Sequence, residues 1–270
     1  VQDDGGTLMP DGSFRGFEGG GIFVKTEGVI PSEQVEIYYS LLQKDTVCEN
    51  VFVDNDGDFD FNDVSLTANG RAVVRRDNIM HASPHIDIDK VDNLILITRA
   101  PIVPAISKMT LQQAAACMVL GQAMESSAGD PTKAGKIRNE FFYDPFVAGD
   151  RADHANQFYA ILKGLPDINY YLINTGGVGE DANYKKIGVA ETMGILEQLI
   201  RGDFKEWIDS PTGFKVPASL GDIDDTLVHP ERLYTDAEFI EKRDELNTIR
   251  IEALKKIGDT LHEEIKNVFK

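Results

Sequence analysis

The chain has 270 residues, 42% of them apolar and 27% charged, enough for a substantial hydrophobic core and ordinary for a globular protein. It carries 45 Asp and Glu against 27 Lys and Arg, a formal net charge of −18. A field that acidic repels phosphate backbones and argues against nucleic acid as a partner, and no run approaches the roughly 18 apolar residues of a membrane span.

In chain order, residues 3 to 21 are rich in Gly and Asp, which predicts turns or a close approach of backbone to a ligand. Ile22-Phe23-Val24 reads as a strand, and Pro31-Ser32-Glu33 opens a helix to about Leu42. Val47 to Val53 reads as a strand, 54–63 as an acidic turn, and Arg71 to Arg76 and Leu94 to Thr98 as further strands. Thr110 starts a helix whose Ala114 to Ala116 favour continuation to about Ala128, and a second helix covers about His154 to Lys163. A strand follows at Tyr170 to Asn174, then the loop Thr175 to Gly179 and a helix at about Val189 to Arg201. Helices and strands alternate, so the expected class is α/β, a mixed sheet with flanking helices. Thr235-Asp236-Ala237-Glu238 has the pattern of a capping box, and Ile240, Leu246, Ile249, Leu254, Ile257, Leu261, Ile265 and Val268 recur at mostly helical steps behind it. This predicts a long amphipathic helix over about 235–268, with Gly258 as a candidate break, and the whole of 1–270 reads as one domain.

Short motifs exclude more than they establish. Asp54 to Asp60 resembles a calcium loop, but Phe59 and Ser65 stand where an EF-hand needs Gly and Glu. Gly135-Lys136 lacks the rest of a phosphate-binding P-loop, and Gly176 to Gly179 lacks the third glycine of the dinucleotide fingerprint. His81 and His85 flank Pro84, so no helix aligns them as zinc ligands. Cys48 and Cys117 alone suggest neither a disulfide framework nor a zinc cluster. Asp3-Asp4 has the chemistry to hold a hard cation, while Lys25 and Arg71 are cations beside glycine-rich or turn sequence in an acidic protein.

Several segments, taken in order, carry a resemblance. They are Phe17 to Lys25 with Pro31 to Tyr38, Cys48 to Asp54, Phe59 to Arg71, and Leu96 to Thr98 with Pro104 to Gln113. Tyr171 to Gly176 and Val216 to Leu220 complete the set. Together they resemble the ATP-dependent phosphoenolpyruvate carboxykinase family across almost the whole chain. The resemblance implies the C-terminal nucleotide-binding domain of a two-lobed enzyme that decarboxylates oxaloacetate and phosphorylates the resulting enolate from ATP. It implies ATP with Mg²⁺, and Mn²⁺ as an alternative metal, and partners consisting of a small carboxylate, a nucleotide and an upstream N-terminal domain bearing the P-loop. The abrupt start at Val1 fits a piece of a longer, cytoplasmic protein.

Carried over by position, the resemblance makes Asp4 a metal ligand and Asp3 its support. Lys25 lies at the nucleotide, and Arg71 bridges the transferring phosphoryl group and the substrate carboxylate. Ile187 and Thr192 fall where the family holds adenine. Gln34 stands in place of the family's ribose-binding Glu and Lys186 in place of its adenine-side Arg. Glu180 and Asp181 add two carboxylates to the glycine loop, and these oppose phosphate binding. Two further readings stay open: an inactive nucleotide-sensing or protein-binding module, and a kinase of another small molecule.

Overall fold

The computed structural model describes residues 5–65, 67, 69–124, 137–139, 141 and 148–270. The chain divides between Val91 and Asp92 into two compact units.

In the first unit, β1 (Gly6–Leu8) and β2 (Phe14–Gly16) form a hairpin. They are followed by β3 (Gly21–Lys25), α1 (Val35–Leu41), β4 (Val47–Glu49), the hairpin β5 (Phe52–Val53) and β6 (Phe59–Asp60), and β7 (Arg71–Arg75). An antiparallel three-stranded sheet has the order β3-β7-β4. Its strands alternate as their sequences do: Ile22, Val24, Ala72 and Val74 are buried, with Phe23, Lys25, Arg71, Val73 and Arg75 on the opposite, exposed face. The buried side packs with Val29, Leu41 from α1, and Phe61. The strand expected over Val47 to Val53 is two strands, because Asn50 takes the left-handed conformation at φ 58° and turns the chain. The acidic segment is a tight turn in which Asp54 Oδ1 accepts from the backbone N–H groups of Asp56 and Asp58, both at 2.9 Å. Helix α1 starts only at Val35, after turns over residues 31–33.

The second unit continues with β8 (Asn93–Thr98), β9 (Ile106–Lys108), α2 (Leu111–Leu120), the paired β10 (Gln122–Met124) and β11 (Ile137–Asn139), α3 (Arg151–Lys163), β12 (Asn169–Asn174), β13 (Gly177–Val178), β14 (Lys185–Lys186), α4 (Val189–Arg201), β15 (Trp207–Asp209), β16 (Lys215–Pro217), α5 (Asp236–Ile257) and α6 (Glu263–Lys266). Its main sheet is mixed, in the order β15-β16-β9-β12-β8, with β12 parallel to β8 and antiparallel to β9. Tyr170 to Asn174 are all buried, as the unbroken apolar run Tyr-Tyr-Leu-Ile requires of a strand covered on both faces. Ile106, Ile173, Ile195, Val216 and Leu220 form a core between sheet and helix.

The capping box read from the sequence at Thr235 with Glu238 is present, and a second one forms at Thr110 with Gln113. Helix α2 nevertheless stops at Leu120 rather than near Ala128: Gly121 adopts φ 49° as a left-handed C-cap and the chain leaves as β10. Similarly, α5 ends at Ile257, and Gly258 at φ 153° separates it from α6. No helix among the described residues is long and apolar enough to cross a membrane.

Candidate functional site

Two of the residues singled out in the sequence are brought together by strand register. Lys25 ends β3, Arg71 begins β7, and the two are direct Cα partners in the antiparallel ladder. Both therefore stand on the exposed face, within reach of one anionic group. Arg71 is also the register partner of Glu49 on β4. The Lys25 ammonium meets Glu27 at 2.7 Å, and Arg71 Nε donates to Asn69 Oδ1 at 2.9 Å. The Lys25–Glu27 pair is roughly half exposed, so it contributes at most about 1 kcal/mol and yields readily to a phosphate. A planar guanidinium beside a point-charge ammonium suits an anion with several oxygens. Gln34 lies at the N-cap of α1, exposed, with its backbone N–H donating to Ile30 O and no side-chain capping bond.

The second unit gathers its polar groups at the carboxyl end of the parallel pair β8 and β12, the edge where α/β sheets bind ligands. Asn174, fully buried, is the organising residue. Its Nδ2 is shared among Ala100 O, Val103 O and Gly177 O at 2.9, 2.7 and 3.1 Å, while its Oδ1 accepts from Gly176 N at 3.0 Å. One amide thus ties the turn after β8 to the glycine loop. Tyr184 crosses the loop, its hydroxyl donating to Gly176 O at 3.1 Å and its ring lying where a Cβ on Gly177 would stand. Gly179 has φ 76° and leaves no room for a side chain against Asn183 O. Nothing local in the sequence marks Asn174 as this hub, since two of its four partners, Ala100 and Val103, lie more than seventy residues upstream.

Strand β14, the residue after it and the first turn of α4 carry the remaining three residues. Lys186, exposed, pairs with Gly177; Ile187 is buried and its N–H donates to Gly176 O at 3.1 Å. Thr192 lies in the first turn of α4, and its hydroxyl donates to Gly188 O at 2.8 Å. The N–H of Gly188 donates to Glu191 Oε2 at 2.9 Å, so a carboxylate of the same chain caps this helix. An open cleft of about 410 Å³ lies between Lys185, Lys186, Ala190, Gly194, Asp222 and Asp224. Lys185 bridges to Asp224 at 2.6 Å, and hydrogen bonds from Lys185 and Thr226 hold the Asp224 carboxyl down at about 2.

The two loop carboxylates are not equivalent. Asp181 is exposed, at φ 48°. Glu180 is instead tied at 2.5 Å to Lys242 of α5, an ion pair invisible to sequence reading because the partners are 62 residues apart. Asp3 and Asp4 lie outside the described residues. Among the described residues no group of three or more His, Cys, Asp or Glu is placed to hold a metal ion. Lys25 and Arg71 thus set two cations side by side on one exposed face.

A mixed α/β sheet with a glycine loop at its carboxyl edge and paired cations on a second, smaller sheet defines an α/β protein equipped to meet an anionic ligand. Residues 1–226 match the model of the phosphoenolpyruvate carboxykinase family, and the chain belongs to that family. It is similar to the phosphoenolpyruvate carboxykinase (ATP) of Aeropyrum pernix, with 31% identity over 237 residues covering 87% of this chain and 46% of that protein. It is likewise similar to proteins of the same name from Mesorhizobium japonicum, at 27% identity with 87% and 45% covered, and from Sulfurimonas denitrificans, at 26% identity with 90% and 47% covered. The chain thus spans about half the length of the curated relatives it matches.

Proposed function

We propose that this chain is the C-terminal, nucleotide-binding part of an ATP-dependent carboxykinase, and that both units together make up that part. In the reaction the C–C bond of oxaloacetate to its departing carboxylate breaks, CO₂ leaves, and the electron pair forms the enolate of pyruvate. The enolate oxygen then takes the γ-phosphoryl group of ATP, releasing ADP. A divalent cation, Mg²⁺ or Mn²⁺ with Asp4 as ligand and Asp3 in support, would neutralise phosphate and enolate charge when bound.

The observation that carries the reading is the juxtaposition of Lys25 and Arg71 as cross-strand partners. Lys25 orients the nucleotide phosphates. Arg71, with its planar fork, holds the transferring group and the carboxylate in line, where positioning and charge neutralisation supply most of the catalysis. By the resemblance, Lys186, Ile187 and Thr192 are adenine-side residues, and Gln34 is the ribose-side residue, a neutral amide in place of a carboxylate. The working enzyme needs the preceding half for its P-loop, and its compartment is the cytoplasm, in keeping with two free thiols.

The test is turnover of oxaloacetate with ATP and Mg²⁺ by the longer protein that carries this chain. Phosphoenolpyruvate formation that Arg71→Ala abolishes supports the reading. Turnover unchanged by Arg71→Ala removes that residue from the site. Nucleotide binding without turnover on any small carboxylate favours the inactive module, a reading to which the Gln34 and Lys186 replacements point.

A further inference from the structure

An acidic side chain in a loop meant to face phosphates calls for explanation, and the second unit supplies one. Glu180 directly follows Gly179, and its carboxylate is drawn away to the Lys242 ammonium at 2.5 Å. Lys242 in turn lies 5.7 Å from the centre of the Tyr234 ring, which favours its charged form as the carboxylate does. The same region holds the loop a second time, through Asn183 Nδ2 donating to Leu233 O at 3.1 Å. On its other side the loop is fixed by Gly179 N donating to Pro101 O at 2.9 Å and by the Asn174 amide. Leu233, Tyr234 and Lys242 all lie beyond residue 226, where the family match ends.

We propose that Lys242 is a positioning residue for this site: it holds the Glu180 carboxylate against α5 and neutralises it, so that the glycine loop can accept a nucleoside triphosphate. The proposal rests on the nucleotide-binding reading above. The pair is only partly exposed, with 33% and 41% of the two side chains accessible, and it joins residues distant in sequence. Its effect therefore falls on the loop rather than on the stability of α5, which its own capping box and the buried Leu246 and Leu254 maintain. On that reading, removing Lys242 alone leaves an uncompensated carboxylate in the glycine loop, and its repulsion of a triphosphate costs about tenfold in affinity. Removing both partners takes the repulsion away.

The experiment is a calorimetric titration of ATP–Mg²⁺ and, separately, of adenosine into the longer native protein carrying this chain. It compares wild type, Lys242→Ala, Lys242→Arg and the double variant Lys242→Ala/Glu180→Gln. Expected are an ATP affinity about tenfold weaker in Lys242→Ala, adenosine affinity within about twofold of wild type, and recovery of ATP binding in Lys242→Arg and in the double variant. Equal losses for ATP and adenosine without recovery in the double variant would reduce Lys242 to a structural role and overturn the proposal, as would an unchanged ATP affinity. Amide hydrogen exchange on the 270-residue chain keeps this separate from the carboxykinase reading. If the wild type binds neither ligand, that reading fails and takes the nucleotide role of Lys242 with it. Faster exchange at Gly177 to Gly179 in Lys242→Ala would then still support the tie itself, and unchanged exchange would remove it.

Discussion

The two units present functional groups by different means. In the first, Lys25 and Arg71 owe their closeness to backbone register in a three-stranded sheet, and their side chains stand on an open face. In the second, the glycine loop is shaped by side chains: a buried Asn174 with four hydrogen bonds, a Tyr184 lid over Gly177, and the Glu180–Lys242 tie. A register-built site tolerates change at the functional side chain itself, because the side-chain partners there, Glu27 and Asn69, are near in sequence and bonded in the open. A site built from a buried polar network does not, because removing one member strands the others.

That contrast can be broken at several points. The largest expected effect on stability is in the small core of the first unit, where Leu41 is fully buried beneath the sheet. Leu41→Ala should lower unfolding stability by about 3 to 4 kcal/mol, measured by urea denaturation. A loss under about 1 kcal/mol would mean that register is held by something other than that core. Next, Arg71→Ala should lower turnover of the longer protein by about a hundredfold or more while leaving the unfolding midpoint unchanged. A shifted midpoint would show that the exposed face carries structural weight after all. In the second unit Asn174→Ala should cost about 2 kcal/mol and expose three backbone carbonyls and one N–H that now share its amide. The same variant should also disorder the glycine loop, read as faster hydrogen exchange at Gly176 to Gly179.

The smallest effect concerns Asp224. Its carboxyl is held near 2, below the ordinary 3.8, chiefly by the hydrogen bond from Lys185. A carboxylate depressed in the folded state contributes stability above its ordinary value, and that contribution disappears as pH falls through about 2. Since both partners are well exposed, solvent screening keeps the contribution under about 1 kcal/mol. Asp224→Asn should therefore flatten the acid limb of the stability profile between pH 4 and pH 2 only slightly. A large change there would mean that the Lys185 bridge organises the cleft.

Much of this architecture was legible in the chain because its signals are local. The capping boxes at Thr110 and Thr235 mark helix starts, the apolar run from Tyr170 marks a covered strand, and Val189 to Arg201 is bounded by Gly188 and Gly202, which cap the helix. Local propensity also misled: Ala114 to Ala116 favoured a helix running on to 128, but Gly121 can take the left-handed conformation at little cost and ends it. Asn50 likewise splits a strand that composition would have kept whole. The resemblance names candidate residues one by one, but the contacts among them leave no mark in the sequence. Pairing Lys25 with Arg71 needs the sheet register, and pairing Glu180 with Lys242 needs α5 folded back beside the loop. Neither leaves a spacing signature, so the acidic loop read as uncompensated until the fold showed its counter-charge.

The most direct test of the central claim is calorimetric titration of ATP with Mg²⁺ into the longer protein carrying this chain, repeated for Lys25→Ala and Arg71→Ala. The account predicts saturable binding by the wild type, weakened at least about tenfold in each variant, since each removes a cation from the phosphates. Wild-type binding that both variants leave unchanged would contradict the assignment of the paired strands to the nucleotide.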